Sequence, residues 1–236
     1  MYAVVLAGGK GERLRPFTED RPKPMVEIMG IPMLGYQLQW LQGQGVTDVI
    51  LSCGYRHEVI EAYFGDGERL GMRVRYAVER EPLGRGGALR LALGQVPEGE
   101  DLVIATNGDV ITNLKLSPLV AAHRARKMLA TIYLTPFVSP YGIVETDGDD
   151  RVTQFREKPE LPYWINGGIY VLSRAIREHL PERGDHETTT FPDLARGGTL
   201  GAFKSPAYWR GVDTIKDVTE VAAEMQRRLL SLFREG

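Results

Sequence analysis

Short, fully apolar runs alternate with amphipathic stretches through the first half of the chain, and the spacing tightens in the second. Tyr2–Ala7, Asp48–Ser52 and Asp101–Thr106 are rich in Val, Ile and Leu and end in glycine or a polar turn. Runs of that length, closed by turn residues, predict strands buried on both faces of a parallel sheet. Between them, Met33–Gln44 places Met33, Leu34, Leu38 and Leu41 at helical spacing, His57–Phe64 repeats the pattern briefly, and Gly86–Leu93 follows a glycine-rich turn. Alternating β and α units imply right-handed crossovers and a doubly wound sheet.

After Asp109 the candidate strands Ala130–Thr135, Gly142–Thr146, Arg151–Glu157 and Gly168–Leu172 crowd together, with Asp147–Asp150 (DGDD) as a hairpin turn. This half is expected to be mixed or antiparallel. Near the end, Ile215, Val218, Ala222, Met225, Leu229 and Leu232 recur at steps of three and four, one apolar face of a long helix. That face either docks on the body or forms the seam of a homo-oligomer. The fold class expected is α/β, a Rossmann-like doubly wound mixed sheet with a C-terminal helix. No proline-rich linker divides the chain, so residues 1–236 read as one domain.

Composition narrows the class. With 236 residues, 43% of them hydrophobic, the chain can bury a sizeable core. Lys+Arg 29 against Asp+Glu 31 gives a net charge of −2, so no basic field points to nucleic acid or an anionic membrane. Any phosphate must therefore be gripped locally. Cys53 is the only cysteine, which excludes an internal disulfide and a Cys-based zinc cluster, fits a reducing compartment, and suggests core packing. The first residues lack the features of a signal peptide, and no apolar run approaches the roughly 18–20 residues that span a bilayer, so a cytoplasmic location is expected.

The chemistry begins at "LAGGKGERLRP", Leu6–Pro16. A P-loop requires Ser or Thr after Gly-Lys, and here Gly9-Lys10 is followed by Gly11. The dinucleotide fingerprint starts at Gly9 and Gly11 but meets Leu14 at its third glycine, and the acidic residue it needs further on could only be Glu27. What remains is a loop whose backbone N–H groups can approach an anion, with Arg13 and Arg15 suited to bidentate phosphate contact. In "RPKPM", Arg21–Met25, two prolines flank Lys23 and restrict its wandering.

Taken together, "LAGGKGERLRPFTEDRPKPM" resembles the signature of the sugar-1-phosphate nucleotidyltransferases, LAGGxGxRLxPLTxxxPKP. The likeness continues through "GYRHEVIEAYFGDG", "EREPLGRGGAL", "NGDV", "FREKP", "NGGIYVL" and "FPDL", and so covers nearly the whole chain in the family's order. The resemblance implies a reaction in which a sugar 1-phosphate attacks the α-phosphorus of a nucleoside triphosphate and pyrophosphate leaves. It also implies a nucleotide-binding half (1–112), a sugar-binding half (113–212) and a C-terminal helix (213–236).

By the same resemblance, Leu6, Ala7, Gly8, Gly9, Gly11, Gly84 and Gly108 border the nucleotide, and Arg13, Lys23 and Asp109 are the catalytic residues. Asp109 would take Mg²⁺, the expected cofactor, through a hard oxygen. Gly142, Glu157, Lys158, Asn166 and Gly167 would bind the sugar phosphate. Glu79 stands where thymidine- and uridine-using relatives often carry glutamine, and its carboxylate suits guanine's paired N–H donors. GTP is therefore favoured, with mannose 1-phosphate or a heptose 1-phosphate as acceptor. Arg85 replaces the threonine of the usual PLGTGGA loop, either to contact phosphate or to point to solvent. His57, His123, His179 and His186 show no metal-ligand spacing and receive no catalytic role. Before Phe191, Asp185, Glu187 and Thr188–Thr190 could shape the sugar site, but a helix N-terminus capped by Thr190 or a neighbouring hydroxyl is the more economical reading.

The pattern breaks at "YWRGVDTIKD", Tyr208–Asp217. The family commonly shows Y-W-x-D-I-G-T-P, whose aspartate is a second carboxylate on the metal. Here Gly211 occupies that place and Asp213 falls two residues later. Three readings stay open: Asp213 is a displaced metal ligand, Asp109 alone suffices because Mg²⁺ takes few protein ligands, or the chain is a sugar-nucleotide-binding regulatory homologue with weak or no activity.

Overall fold

A strand whose positions are nearly all apolar must be covered on both faces, and the runs of that kind form the middle of the sheet. The computed structural model describes residues 1–232. Its elements are β1 (Tyr2–Leu6), β2 (Glu27–Ile28), β3 (Ile31–Pro32), α1 (Met33–Gly43), β4 (Asp48–Cys53), α2 (His57–Phe64) and β5 (Arg73–Val78). There follow α3 (Gly84–Leu93), β6 (Leu102–Asn107), β7 (Val110–Thr112), α4 (Leu116–Arg126), β8 (Ala130–Val138), β9 (Ile143–Thr146) and β10 (Val152–Arg156). The last are β11 (Glu160–Ser173), α5 (Thr190–Arg196), β12 (Leu200–Lys204), β13 (Trp209–Gly211) and α6 (Ile215–Leu232).

Seven strands build one sheet in the order β12-β8-β11-β6-β1-β4-β5. β1 pairs in parallel with β4 and β6, and β4 with β5. β11 alone runs against its neighbours β6 and β8, and β12 is parallel to β8. The expected mixed α/β sheet with a C-terminal helix is present. Leu34, Leu38 and Leu41 of α1 join Ile60, Phe64, Leu116 and Leu119 in the core on one face. Leu89 and Leu93 of α3 join Phe191 and Leu194 of α5 on the other. Each leucine buried in this way contributes about 1.5–3 kcal/mol.

Two strands of the main sheet, β5 and β12, went unread in the sequence together with α4 and the short β2, β3, β7 and β13, and β11 was read only in part. β5 alternates Arg73 and Arg75 with Val74 and Tyr76 because it is an edge, and Arg73 uses two nitrogens, each at 2.7 Å, to hold the buried Asp48 carboxylate. β11 begins well before Gly168, and register shifts at Leu161/Trp164 and Asn166/Tyr170 absorb Pro162 and the Gly167-Gly168 pair. The hydroxyl cap expected on α5 is absent: the Thr190 hydroxyl donates instead to His179 O at 2.8 Å.

Val218, Val221, Ala222 and Met225 of α6 pack on Leu14, Val26, Ile28 and Val212, which is the docked arrangement. The side chains of Leu229 and Leu232, and residues 233–236, lie outside the described part of the chain. Among the described residues no helix is long and apolar enough to cross a membrane.

His186 is fully buried, edge-on to Tyr170 and Phe191 with centroids 5.7 and 4.8 Å away. Burial lowers its pKa from the ordinary 6.5. A group depressed in the folded state adds stability that is complete above the unfolded value and lost as pH falls through the folded one. His186→Leu is therefore expected to shrink the fall in Tm between about pH 8 and about pH 5.5 by about 2–4 °C. Equal falls in calorimetric scans of variant and wild type would show that His186 does not carry this acid sensitivity.

Candidate active site

The winding direction reverses at β1. From β1 the chain builds outward to β4 and β5, then returns through α3 to β6 on the opposite side, so a crevice opens between the C-terminal ends of β1 and β6. Gly108 N donates to Leu6 O at 2.9 Å, and a Cβ on Gly108 would stand 2.7 Å from that oxygen, so only glycine lets the two loops touch. Ala7 lies beneath the loop, fully buried, with its N–H given to Ser52 O at 2.8 Å.

The glycine loop folds back on the Pro-Lys-Pro segment. Lys23 N donates to Gly9 O at 3.0 Å and Thr18 Oγ1 donates to Gly11 O at 2.8 Å. This packing delivers the Lys23 side chain to the crevice, where Nζ donates to Asp109 Oδ2 and Asp213 Oδ1, each at 2.5 Å. Burial works to lower the Lys23 pKa, but the two carboxylates outweigh it and hold the ammonium above its usual value. Arg13 Nη2 pairs with the same Asp213 oxygen at 3.0 Å. The Arg13 side chain is 71% exposed against 12% for Lys23, so the lysine pairs are the shielded ones.

A short ladder explains how Asp213 arrives. β7 and β13 pair antiparallel with Val110 opposite Gly211, and Val212 N donates to Asp109 O at 3.0 Å. Asp213 then follows directly beside Asp109. Its N–H donates to Asp217 Oδ2 at 3.0 Å, and Thr214 N donates to the same oxygen at 2.8 Å, which closes the first turn of α6. A carboxylate two residues along from Gly211 thus stands beside that of Asp109, with Lys23 Nζ between them.

Asp109 and Asp213 offer two hard oxygen donors converging on one positive centre. Mg²⁺ is held by one or two carboxylates and completes its shell with waters and substrate phosphates, so this donor set fits that ion.

A cavity of 320 Å³ is bounded by Gly8 and Gly9, Lys23, Glu79, Gly108 and Asp109. Glu79 Oε2 accepts from Leu83 N at 3.0 Å, while Oε1 lies against Gly8 and Gly54. Gly11 and Arg13 border an adjoining depression that shares Lys23 and is completed by Asp213. In the sugar half, Asn166 Nδ2 donates to Glu187 Oε1 and Tyr170 Oη, both at 3.0 Å, and Trp209 Nε1 donates to Gly167 O at 2.7 Å. Gly142 faces the Phe155 ring and the Glu157 carboxylate. Glu157 and Lys158 are exposed, and among the described residues neither makes a hydrogen bond or ion pair with Asn166 or Lys23.

Arg85 lines the cavity and is 45% exposed, and its guanidinium is paired with two carboxylates. Its Nε donates to Asp185 Oδ2 at 2.7 Å and its Nη1 pairs with Glu187 Oε2 at 2.8 Å. Gln37 escaped sequence reasoning altogether. Buried on α1, its Nε2 donates to Asn107 O and, at 3.0 Å, to Val110 O, which fixes the turn that carries Asp109. The available signal was a polar residue on the apolar face that Met33, Leu34, Leu38 and Leu41 define.

A family model described as nucleotidyl transferase matches residues 2–228. The chain belongs to the nucleotidyl transferase family. Mannose-1-phosphate guanylyltransferase of Mycobacterium tuberculosis is 37% identical over 233 residues, covering 95% of this chain and 64% of that protein. The chain thus spans about two thirds or less of such longer nucleotidyl transferases. D-glycero-alpha-D-manno-heptose 1-phosphate guanylyltransferase of Aneurinibacillus thermoaerophilus is 36% identical over 231 residues, covering 96% of this chain and 99% of the relative. The crystal structure of HddC from Yersinia pseudotuberculosis complexed with GMP-PN superposes with a TM-score of 0.75 at 29% identity, covering 95% and 99% of the two chains. The chain therefore shares its fold over 95% of its length with that solved structure.

Proposed function

We propose that the chain joins a mannose-type sugar 1-phosphate to the α-phosphorus of GTP and releases pyrophosphate. One observation carries this reading: Arg13, Lys23, Asp109 and Asp213 converge at the mouth of a cavity that Glu79 closes. The attacking phosphate oxygen is already an anion, so the site needs no strong general base. It must bring two polyanions together, align them and screen their repulsion.

In this reading Lys23 leaves its carboxylate partners to meet the phosphates at the reacting centre. Arg13, with its side chain 71% exposed, stabilises the charge that moves onto departing pyrophosphate. Asp109 and Asp213 would hold Mg²⁺, which when bound neutralises phosphate charge. The bond that forms joins a sugar phosphate oxygen to the α-phosphorus. The bond that breaks joins that phosphorus to the oxygen bridging to the β-phosphate. Glu79, with one oxygen anchored on Leu83 N, leaves the other for guanine's N–H donors. The GMP-PN complex and the guanylyltransferase names of the relatives support the base, and those names support the sugar class. A cytoplasmic setting fits the buried free thiol of Cys53.

The test is a matrix of nucleoside triphosphates against sugar 1-phosphates with Mg²⁺, read as pyrophosphate release. GTP with mannose 1-phosphate or the manno-heptose 1-phosphate is expected to give the fastest turnover. No turnover in any pairing, with sugar nucleotides still binding, would replace this reading with the regulatory one.

Gly142 offers a sharper check of the sugar side. A Cβ there would stand 2.7 Å from the Phe155 ring and 3.1 Å from the Glu157 carboxylate. Phe155 is 64% exposed and can yield, whereas Glu157 is displaced from its expected sugar contact. Gly142→Ala is expected to raise KM for the sugar 1-phosphate about tenfold while Tm stays within about 2 °C of wild type. An unchanged sugar KM would remove Gly142 and Glu157 from the sugar site.

A further inference from the structure

Arg85 is the residue by which this chain departs from the usual nucleotide loop; it lines the nucleotide cavity, and its guanidinium reaches two carboxylates on the sugar side of the crevice. Nε donates to Asp185 Oδ2 at 2.7 Å, Nη2 donates to the same oxygen, and Nη1 pairs with Glu187 Oε2 at 2.8 Å. The other Glu187 oxygen accepts from Asn166 Nδ2 and from the hydroxyl of fully buried Tyr170, both at 3.0 Å. Glu187 N is itself held by Asp185 Oδ1 at 2.9 Å. Both oxygens of Glu187 therefore have fixed donors.

The consequence falls on Asn166. Gly168 N donates to Asn166 Oδ1 at 2.9 Å, and Nδ2 donates toward Glu187 Oε1 and the Tyr170 hydroxyl, which lie only 3.0 Å from each other and so share one of its hydrogens. The other Nδ2 hydrogen and the second lone pair of Oδ1 remain to meet a sugar hydroxyl. The direction of that lone pair depends on where Glu187 stands, and Glu187 stands where Arg85 holds it.

The backbone supports the same link. Gly86 N donates to Gly184 O and Gly184 N donates to Leu83 O, each at 2.8 Å. The start of α3, which borders the nucleotide cavity, is thereby stapled to the loop that carries Asp185 and Glu187. Arg85 is the part of the staple made by charge. A threonine side chain is too short to span both carboxylates, and lysine offers one point charge in place of a planar fork.

We infer that Arg85 is a positioning residue for the sugar 1-phosphate, acting through Glu187 to aim the Asn166 amide. This rests on the proposed reading in which Asn166 contacts the sugar. Without Arg85 the neighbouring Asp185 and Glu187 carboxylates, 29% and 25% exposed, are left with no counter-charge between them, and Glu187, one of the partners that orient the Asn166 amide, loses the cation that holds it.

The experiment is steady-state kinetics on wild type, Arg85→Thr, Arg85→Lys, Asn166→Ala and the Arg85→Thr/Asn166→Ala double variant, with Tm as a control on folding. Arg85→Thr is expected to raise KM for mannose 1-phosphate about tenfold and leave KM for GTP within about twofold. Arg85→Lys keeps the charge but not the fork, and is expected to recover less than half of that loss on a logarithmic scale. The double variant is expected to match Asn166→Ala, because one effect runs through the other. An unchanged sugar KM in Arg85→Thr overturns the inference, as does an equal rise for both substrates or full additivity. If wild type shows no turnover in any pairing, the proposed function fails separately. The inference is then decided by calorimetry with mannose 1-phosphate: tenfold weaker binding by Arg85→Thr upholds it, and equal or absent binding overturns it.

Discussion

Asp109→Ala is expected to lower kcat/KM for nucleotidyl transfer about 10³-fold while the variant remains folded. The backbone around Asp109 is held independently of its side chain. Gln37 bonds the carbonyls on either side of the turn, Gly108 N bonds Leu6 O, and Val212 N bonds Asp109 O. Removing the carboxylate therefore deletes a donor at the reacting centre and one of the two partners of Lys23, and little else. Asp213→Ala is expected to cost less, about 10–100-fold, because Asp213 is 45% exposed against 30% for Asp109. Both variants should need more Mg²⁺ for half-maximal rate if the two carboxylates share the ion. An Asp213 variant with wild-type rate and Mg²⁺ dependence would leave Asp109 as the sole protein ligand and make Asp213 a partner of the cations alone.

What the sequence disclosed follows from what each element needs. β1, β4 and β6 were legible because burial on both faces leaves no room for polar positions, and α1 and α6 because helical spacing marks their apolar faces. β5 was not, since an edge strand tolerates Arg73 and Arg75. β11 was only half legible, because a bulged strand accommodates residues that elsewhere break one. The placement of Lys23 was implied by the family resemblance and not by the prolines that flank it, since Lys23–Met25 forms a short helical turn and not the extended segment those prolines suggest.

Asp213 could not be placed in the same way. Its position is set by strand pairing with β7, and the Lys23 contact it makes joins residues 190 apart in sequence. A pattern read in register finds a glycine at 211 and counts a ligand lost. The folded chain restores a carboxylate beside Asp109 because the ladder ends where α6 begins. Arg85 was ambiguous for a related reason: its partners, Asp185 and Glu187, lie on a loop brought to it only by the packing of α3. Local chemistry was readable at each position. Which positions meet was decided by topology.

Lys23→Met is expected to lower kcat/KM by about 10²–10³-fold and, unlike the loss of a surface lysine, to destabilise the ligand-free protein. Methionine keeps most of the length and packing of the side chain but removes the ammonium that both carboxylates now share at 2.5 Å. Two acidic groups converging on one point without a counter-charge repel, and breaking a buried pair costs about 3–5 kcal/mol. Solvent reaches Asp213, and Arg13 still touches it, so about 1–2 kcal/mol is the fair expectation here. That corresponds to a fall in Tm of about 2–8 °C. The same convergence makes a second outcome follow. Once Lys23 no longer neutralises the pair, a divalent cation can do so, and millimolar Mg²⁺ is expected to raise the Tm of the variant more than that of wild type. Wild-type Tm and no added response to Mg²⁺ would show that Asp109 and Asp213 do not share a cation position. The β7–β13 ladder would then serve only to set Asp213 against Arg13.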